Sequence, residues 1–247
     1  VSRSAAEPPQ EASEKAGDAA PEKQHANEPP AFLPTDQFKA VQIEGFTVRV
    51  ARPLVDDRPE RWHRVRRELQ SQLYRVGRVV PAGPLAKLRK VTIWVEDGTM
   101  PKGAMAYHPN VNWLREHGVN PDKAKGAELG NVAHFLAWTG HQPWMLLHEL
   151  AHAYHDQFLG GYGNEKIKAA YDKAIADGLY DSALLYNGKR VRAYAATNPM
   201  EYFAETSEAY FGTNDFYPFV QAELREHDPR MFALLEKLWE TGSSKGR

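Results

Sequence analysis

The chain has 247 residues, enough for one large domain with a sizeable core, and its formal net charge is −1 at pH 7. That balance gives no global argument for nucleic acid or an anionic membrane as partner, and no apolar run approaches membrane-spanning length. Cysteine is absent, so disulfides and cysteine-ligated zinc are excluded while the compartment stays open.

Residues 1–35 hold a Pro/Glu/Ala-rich stretch whose first thirty positions contain no aromatic residue. Such a segment cannot offset its ordering entropy, so a disordered tail is expected, with folded sequence starting near Phe32 to Phe38. The first residue is Val1 rather than Met, which leaves room for an upstream signal segment. An extracellular or periplasmic protein is the expectation, and a cytosolic linker is the alternative.

Phe46, Val48 and Val50 alternate with Thr47 and Arg49 and predict a strand. Pro59 then opens a helix in which Trp62, Val65, Leu69, Leu73 and Val76 recur at three and four. Its other face carries Arg61, Arg64, Arg66, Arg67 and Arg75. Acidic residues balance that charge over the whole chain, so it reads as a solvated surface rather than a nucleic-acid face. Val91, Ile93 and Val95 predict a second strand, and Ala104–His108 a short one ended by Pro109. The latter is a candidate edge strand above a cleft, with backbone groups open to an extended peptide. Asn131 to Trp138 reads as one more strand or a loop, with His134 structural, and His141, just before the next helix, as a helix-start residue rather than a ligand.

The next helix is the centre of the chain. Trp144, Leu147, Leu150, Ala151, Tyr154 and Phe158 give a buried stripe, with Pro143 at the start and Gly160-Gly161 as a stop. On it lies His148-Glu149-Leu150-Ala151-His152, one HExxH pattern, of which about 0.03 copies are expected by chance. Residues four apart share a helix face, so both imidazoles can reach one zinc ion, and Glu149 can act on water activated by it. The competing account is an ordinary amphipathic helix with two histidines near its polar border.

Further on, Asn164 caps a helix running to about Ala176. Tyr186-Asn187-Gly188-Lys189 predicts a two-residue hairpin turn between Leu184–Tyr186 and Arg190–Arg192. Asn198 suits an N-cap and Pro199 the first helical position, so a helix starts there. Two more follow, over Tyr217–Glu226 and Arg230–Glu240, with Phe232, Leu235 and Trp239 as a docking stripe.

Catalytic zinc usually takes three protein ligands. A metzincin would need glycine at 155 and histidine at 158, where this chain has His155 and Phe158, so His155 reads as structural or as support to a ligand. Gly212-Thr213-Asn214-Asp215 falls short of an aspartate-ligand motif, because the tyrosine and glycine that should follow are out of place. Glu201 and Glu205 are four apart on the Asn198 helix, so one can bind metal while the other supports a ligand. Against this, Asn198-x-x-Glu201 also fits a capping box, and Glu205 and Glu208 fit an exposed helix face.

His148-Glu149-Leu150-Ala151-His152-Ala153-x-x-Asp156, followed by Tyr194-x-x-x-Asn198-x-x-Glu201-Tyr202-Phe203-Ala204-Glu205, resembles the catalytic domain of anthrax lethal factor. The Pro-Pro endopeptidases of clostridia belong to the same metallopeptidase family. The likeness covers about residues 143–211; the N-terminal half matches only in general layout, and the Pro-rich tail is not part of it. It implies zinc ligands His148, His152 and Glu201, general base Glu149, and Tyr194 at the oxyanion, with Glu205 and Asp156 behind the ligands.

The expectation is therefore a gluzincin-like α+β zinc metallopeptidase domain over residues 36–247, with a small twisted sheet, the HExxH helix and a mostly helical C-terminal half. Its partner would be a peptide or protein substrate. The alternative is a catalytically inactive peptide-binding module on the same fold. Intact Glu149 and Tyr194 count against that, since a structural metal site needs neither.

Overall fold

The computed structural model describes residues 32–243. Nearly all of the expected tail lies outside the described residues. Its last positions do not belong to a tail. Asn120 donates to Leu33 O and to Thr35 Oγ1, and Thr35 donates to Asp122, so the chain is tied down from residue 33.

The molecule mixes α and β, with ten α-helices, four short 3-10 helices and seven strands among the described residues. Strands β1 (Phe38–Ile43) and β2 (Phe46–Ala51) form an antiparallel hairpin, followed by helix α1 (Arg52–Asp56). The long helix α2 (Pro59–Val79) and α3 (Ala82–Leu88) lead to β3 (Ile93–Val95) and β4 (Met105–Tyr107). Then come α4 (Val111–Glu116), β5 (Ala127–Leu129) and α5 (Val132–Trp138). One five-stranded sheet results, in the order β1-β2-β3-β5-β4, parallel at β2–β3 and β3–β5 and antiparallel at its two ends. Strand β4 is an edge, as the sequence predicts.

The alternation read in β2 is the core register: Phe46, Val48 and Val50 are fully buried, as are Val65, Leu69 and Leu73 of α2. Each such side chain stabilises the fold by roughly 1.5–3 kcal/mol relative to exposure.

Helix α6 (Met145–Phe158) carries the HExxH pattern and packs on β4 and β5, on α2 and α3, and on α8 (Pro199–Phe211). Between them lie α7 (Glu165–Ala176), the short hairpin β6 (Ala183–Leu184) and β7 (Arg190–Val191), and a 3-10 turn over Tyr194–Ala196. Helices α9 (Gln221–His227) and α10 (Pro229–Leu238) close the chain. Trp239, at the end of α10, stacks on Tyr154 of α6 at 4.3 Å and on Phe203 of α8 at 5.8 Å between ring centroids. Its indole donates to Ser207 Oγ. The expected docking stripe thus clamps the two helices that matter most. No helix among the described residues is long and apolar enough to cross a membrane.

Four local expectations need correction. Residues 132–138 are a helix, because Asn131 caps it by accepting from His134 N at 2.9 Å. Helix α6 starts at Met145 rather than Pro143, since His141 N and Gln142 N still bond Trp138 O in the closing turn of α5; His141 lies just before the helix, where the sequence places it. The hairpin loop has three residues, Tyr186–Gly188. Leu185 N bonds Lys189 O and only Gly188 takes positive φ (+83°), whereas a two-residue type I′ turn requires two such residues. Helix α9 begins at Gln221, not Tyr217, because Tyr217 N bonds Leu184 O and Asp215 O accepts from Tyr186 N. That segment is an extended neighbour of the hairpin.

Candidate metal centre

Helix α6 is stopped where the sequence places the stop: Gly160 and Gly161 take φ of +88° and +86°, which β-carbon-bearing residues rarely adopt. Four-residue spacing sets His148 and His152 on one face, and their Nε2 atoms lie 3.0 Å apart. Helix α8 brings the third group. Asn198 caps it by accepting from Met200 N and Glu201 N, both at 2.9 Å. Glu201 does not complete a capping box. Its Oε2 lies 3.0 Å from His148 Nε2 and 3.3 Å from His152 Nε2.

These three buried residues could hold a metal ion. Two imidazole nitrogens and a carboxylate oxygen converge with mutual separations of 3.0–3.3 Å. A tetrahedral ion at 2.0–2.1 Å from such ligands sets them about 3.3 Å apart, so the residues fit. Burial opposes ionisation of Glu201, but His152 and His148 outweigh it and hold the carboxyl well below its usual range.

His148 is oriented from behind. Glu208 Oε1 lies 2.7 Å from His148 Nδ1, and Glu205 Oε1 lies 3.6 Å from it. A carboxylate accepts, so Nδ1 carries the proton and Nε2 keeps its lone pair for the centre. Both glutamates are fully buried, which overturns their reading as an exposed helix face. Together with His148 they form a second set able to hold an ion. The 2.7 Å separation is that of a charge-assisted hydrogen bond, and orientation of His148 accounts for it. Glu208 is the residue that sequence reasoning missed. Its signal was available: seven residues separate it from Glu201, two helical turns along the same face.

Tyr194 lies on the 3-10 turn entering α8, half-buried, with its ring centroid 6.4 Å from that of His148. Its ring therefore stands beside the candidate ligand His148. Glu149, one step round α6, is half-buried, and its Oε2 accepts from the backbone N–H of Tyr107 in β4 at 2.7 Å. Asp156 faces the edge strand: its Oδ2 accepts from Tyr107 Oη at 2.6 Å and pairs with Lys125 Nζ at 2.5 Å. His155 is fully buried, 5.2 Å from the rings of both Tyr162 and Phe203. Burial first, and then His152, hold its pKa down to about 4, so it packs as a neutral ring. His134 Nδ1 lies 3.1 Å from Gly103 O, and its ring stacks on Trp138, consistent with a structural role.

Edge strand β4 lies along this centre. In its ladder with β5, Ala104 and His108 bond Gly130 and Gly126. Antiparallel alternation then turns the backbone groups of Met105 and Tyr107 to the free edge.

No protein-family model, curated protein or solved structure matches this chain.

Proposed function

We propose that this chain is a zinc-dependent endopeptidase of gluzincin type, similar to the lethal factor family. The observation that carries the reading is the triangle of His148 Nε2, His152 Nε2 and Glu201 Oε2, with Glu149 on the next helical position. A soft-to-borderline ion preferring two imidazoles and one carboxylate in tetrahedral geometry is zinc. When bound, zinc supplies a Lewis acid for the scissile carbonyl and for water.

The chain's own residues do the rest. Glu149 takes the proton of the attacking water and delivers it to the nitrogen of the leaving amine, so one water is consumed per peptide bond broken. Tyr194 donates its phenol hydrogen to the oxyanion that develops on the carbonyl. The free edge of β4 offers Met105 to an extended peptide, which adds as a further antiparallel strand.

The test is direct. The purified protein is incubated with a diverse peptide mixture, with and without chelator, and products are read by mass spectrometry. Internal cleavage that chelator abolishes and zinc restores is expected. Absence of any cleavage by zinc-loaded protein overturns the reading in favour of a binding module.

A further inference from the structure

We propose that Tyr107 and Asp156 form a latch that positions Glu149, making both of them positioning residues for the hydrolysis proposed above, on which this inference rests. Tyr107 is the last residue of β4, and it is held at two points by one face of α6. Its backbone N–H donates to Glu149 Oε2 at 2.7 Å, and its phenol donates to Asp156 Oδ2 at 2.6 Å. Glu149 and Asp156 are seven residues apart, two turns of the same helix, so both carboxylates stand along one line beneath the strand.

The phenol end is fixed by more than one bond. Gln157 Nε2 donates to Tyr107 Oη at 3.1 Å and to Lys125 O at 3.0 Å, while Lys125 Nζ pairs with Asp156. Burial and the Asp156 carboxylate push ionisation of this phenol far above its ordinary value, so it stays a donor. The following residue is anchored the opposite way: His108 Nε2 lies 2.6 Å from Glu128 Oε2 on β5, and His108 N donates to Gly126 O. The strand end is thus pinned alternately to sheet and helix.

Glu149 is only half-buried, and a glutamate has three side-chain torsions to fix. The Tyr107 amide is what fixes one of its oxygens, and the position of that amide depends on where the phenol is tied. Misplacement of a reacting group by about 1 Å can cost ~10²-fold in rate.

The experiment uses the full chain, zinc-loaded, as wild type, Tyr107→Phe, Asp156→Ala, Asp156→Asn and the Tyr107→Phe/Asp156→Ala double variant. Two readouts are taken: kcat and KM on one cleaved peptide, and hydrogen exchange of the Tyr107 amide with the His108 amide as internal control. Tyr107→Phe and Asp156→Ala are each expected to lower kcat by about 10–100-fold with KM and zinc content unchanged. The double variant should be no worse than the poorer single, because the two residues make one interaction. Asp156→Asn keeps an acceptor for the phenol and should restore most of kcat. Protection of the Tyr107 amide should fall by about 10-fold in Asp156→Ala and not in Asp156→Asn, with His108 unmoved in both. Unchanged Tyr107 protection in Asp156→Ala, or fully additive losses in kcat, overturns the latch. A wild type that cleaves nothing overturns the peptidase reading instead, and the amide readout still decides whether the latch exists.

Discussion

Glu208 Oε1 sits 2.7 Å from His148 Nδ1, and Glu205 Oε1, one turn nearer Glu201, sits 3.6 Å from the same atom. The residue seven beyond the candidate ligand, not the one four beyond it, therefore makes the hydrogen bond that selects the His148 tautomer.

Metal affinity should follow that order. Glu201→Ala removes a candidate ligand and is expected to abolish tight binding. Glu208→Ala should weaken zinc affinity by about 10–100-fold through His148, and Glu205→Ala by less. Competition against a chromogenic chelator measures all three. A larger loss for Glu205→Ala than for Glu208→Ala would show that the 3.6 Å contact is the one that matters.

Binding and chemistry should separate on neighbouring residues. Wild type is expected to carry about one zinc per chain and His152→Ala to lose it. Glu149→Gln should keep zinc while peptide hydrolysis falls by at least ~10². Elemental analysis and cleavage kinetics on the same samples check this. Wild-type turnover in Glu149→Gln would remove that residue from the mechanism.

Tyr194 divides kcat from KM. Its ring stands beside His148 and is half-buried, so Tyr194→Phe should leave zinc and KM nearly constant. As a donor to the oxyanion, its loss should lower kcat by ~10²–10³. A kcat within a few-fold of wild type would make the hydroxyl a bystander.

A fourth expectation concerns acid stability. Glu128 is buried on β5, where burial alone would raise its pKa, but bonds to His108 and Lys123 outweigh it and bring it down to about 2. A folded pKa below the unfolded value of 4.5 means a contribution present above about pH 4.5 and lost as pH falls toward 2. The contribution is on the order of 3 kcal/mol. Denaturant titrations from pH 6 to pH 2 should show a shallower fall in stability for Glu128→Gln than for wild type. Parallel curves would mean that the network carries no such linkage.

What the sequence determined was local. Helical spacing placed His148 and His152 on one face, the Asn198-Pro199 pair started α8 where it starts, and alternation in Phe46–Val50 gave the register of β2. Each depends on residues within a few positions of one another, where the periods of helix and strand dictate direction. Short elements without periodicity stayed illegible: β5, three residues long and holding a buried Glu128, carries no alternation to read. The choice among Glu201, Glu205 and Glu208 was open for a different reason. All three lie on faces that periodicity permits, and which carboxylate meets which nitrogen is decided by how α8 is rotated and seated against α6. That seating comes from the direct packing of α8 on α6 together with Trp239, 38 residues beyond Glu201, which stacks on Tyr154 of one helix and Phe203 of the other. The meeting of Tyr107 with Glu149 likewise requires the edge of a sheet to arrive over a helix 42 residues further along the chain. Such contacts are products of tertiary packing, and only the folded chain places them.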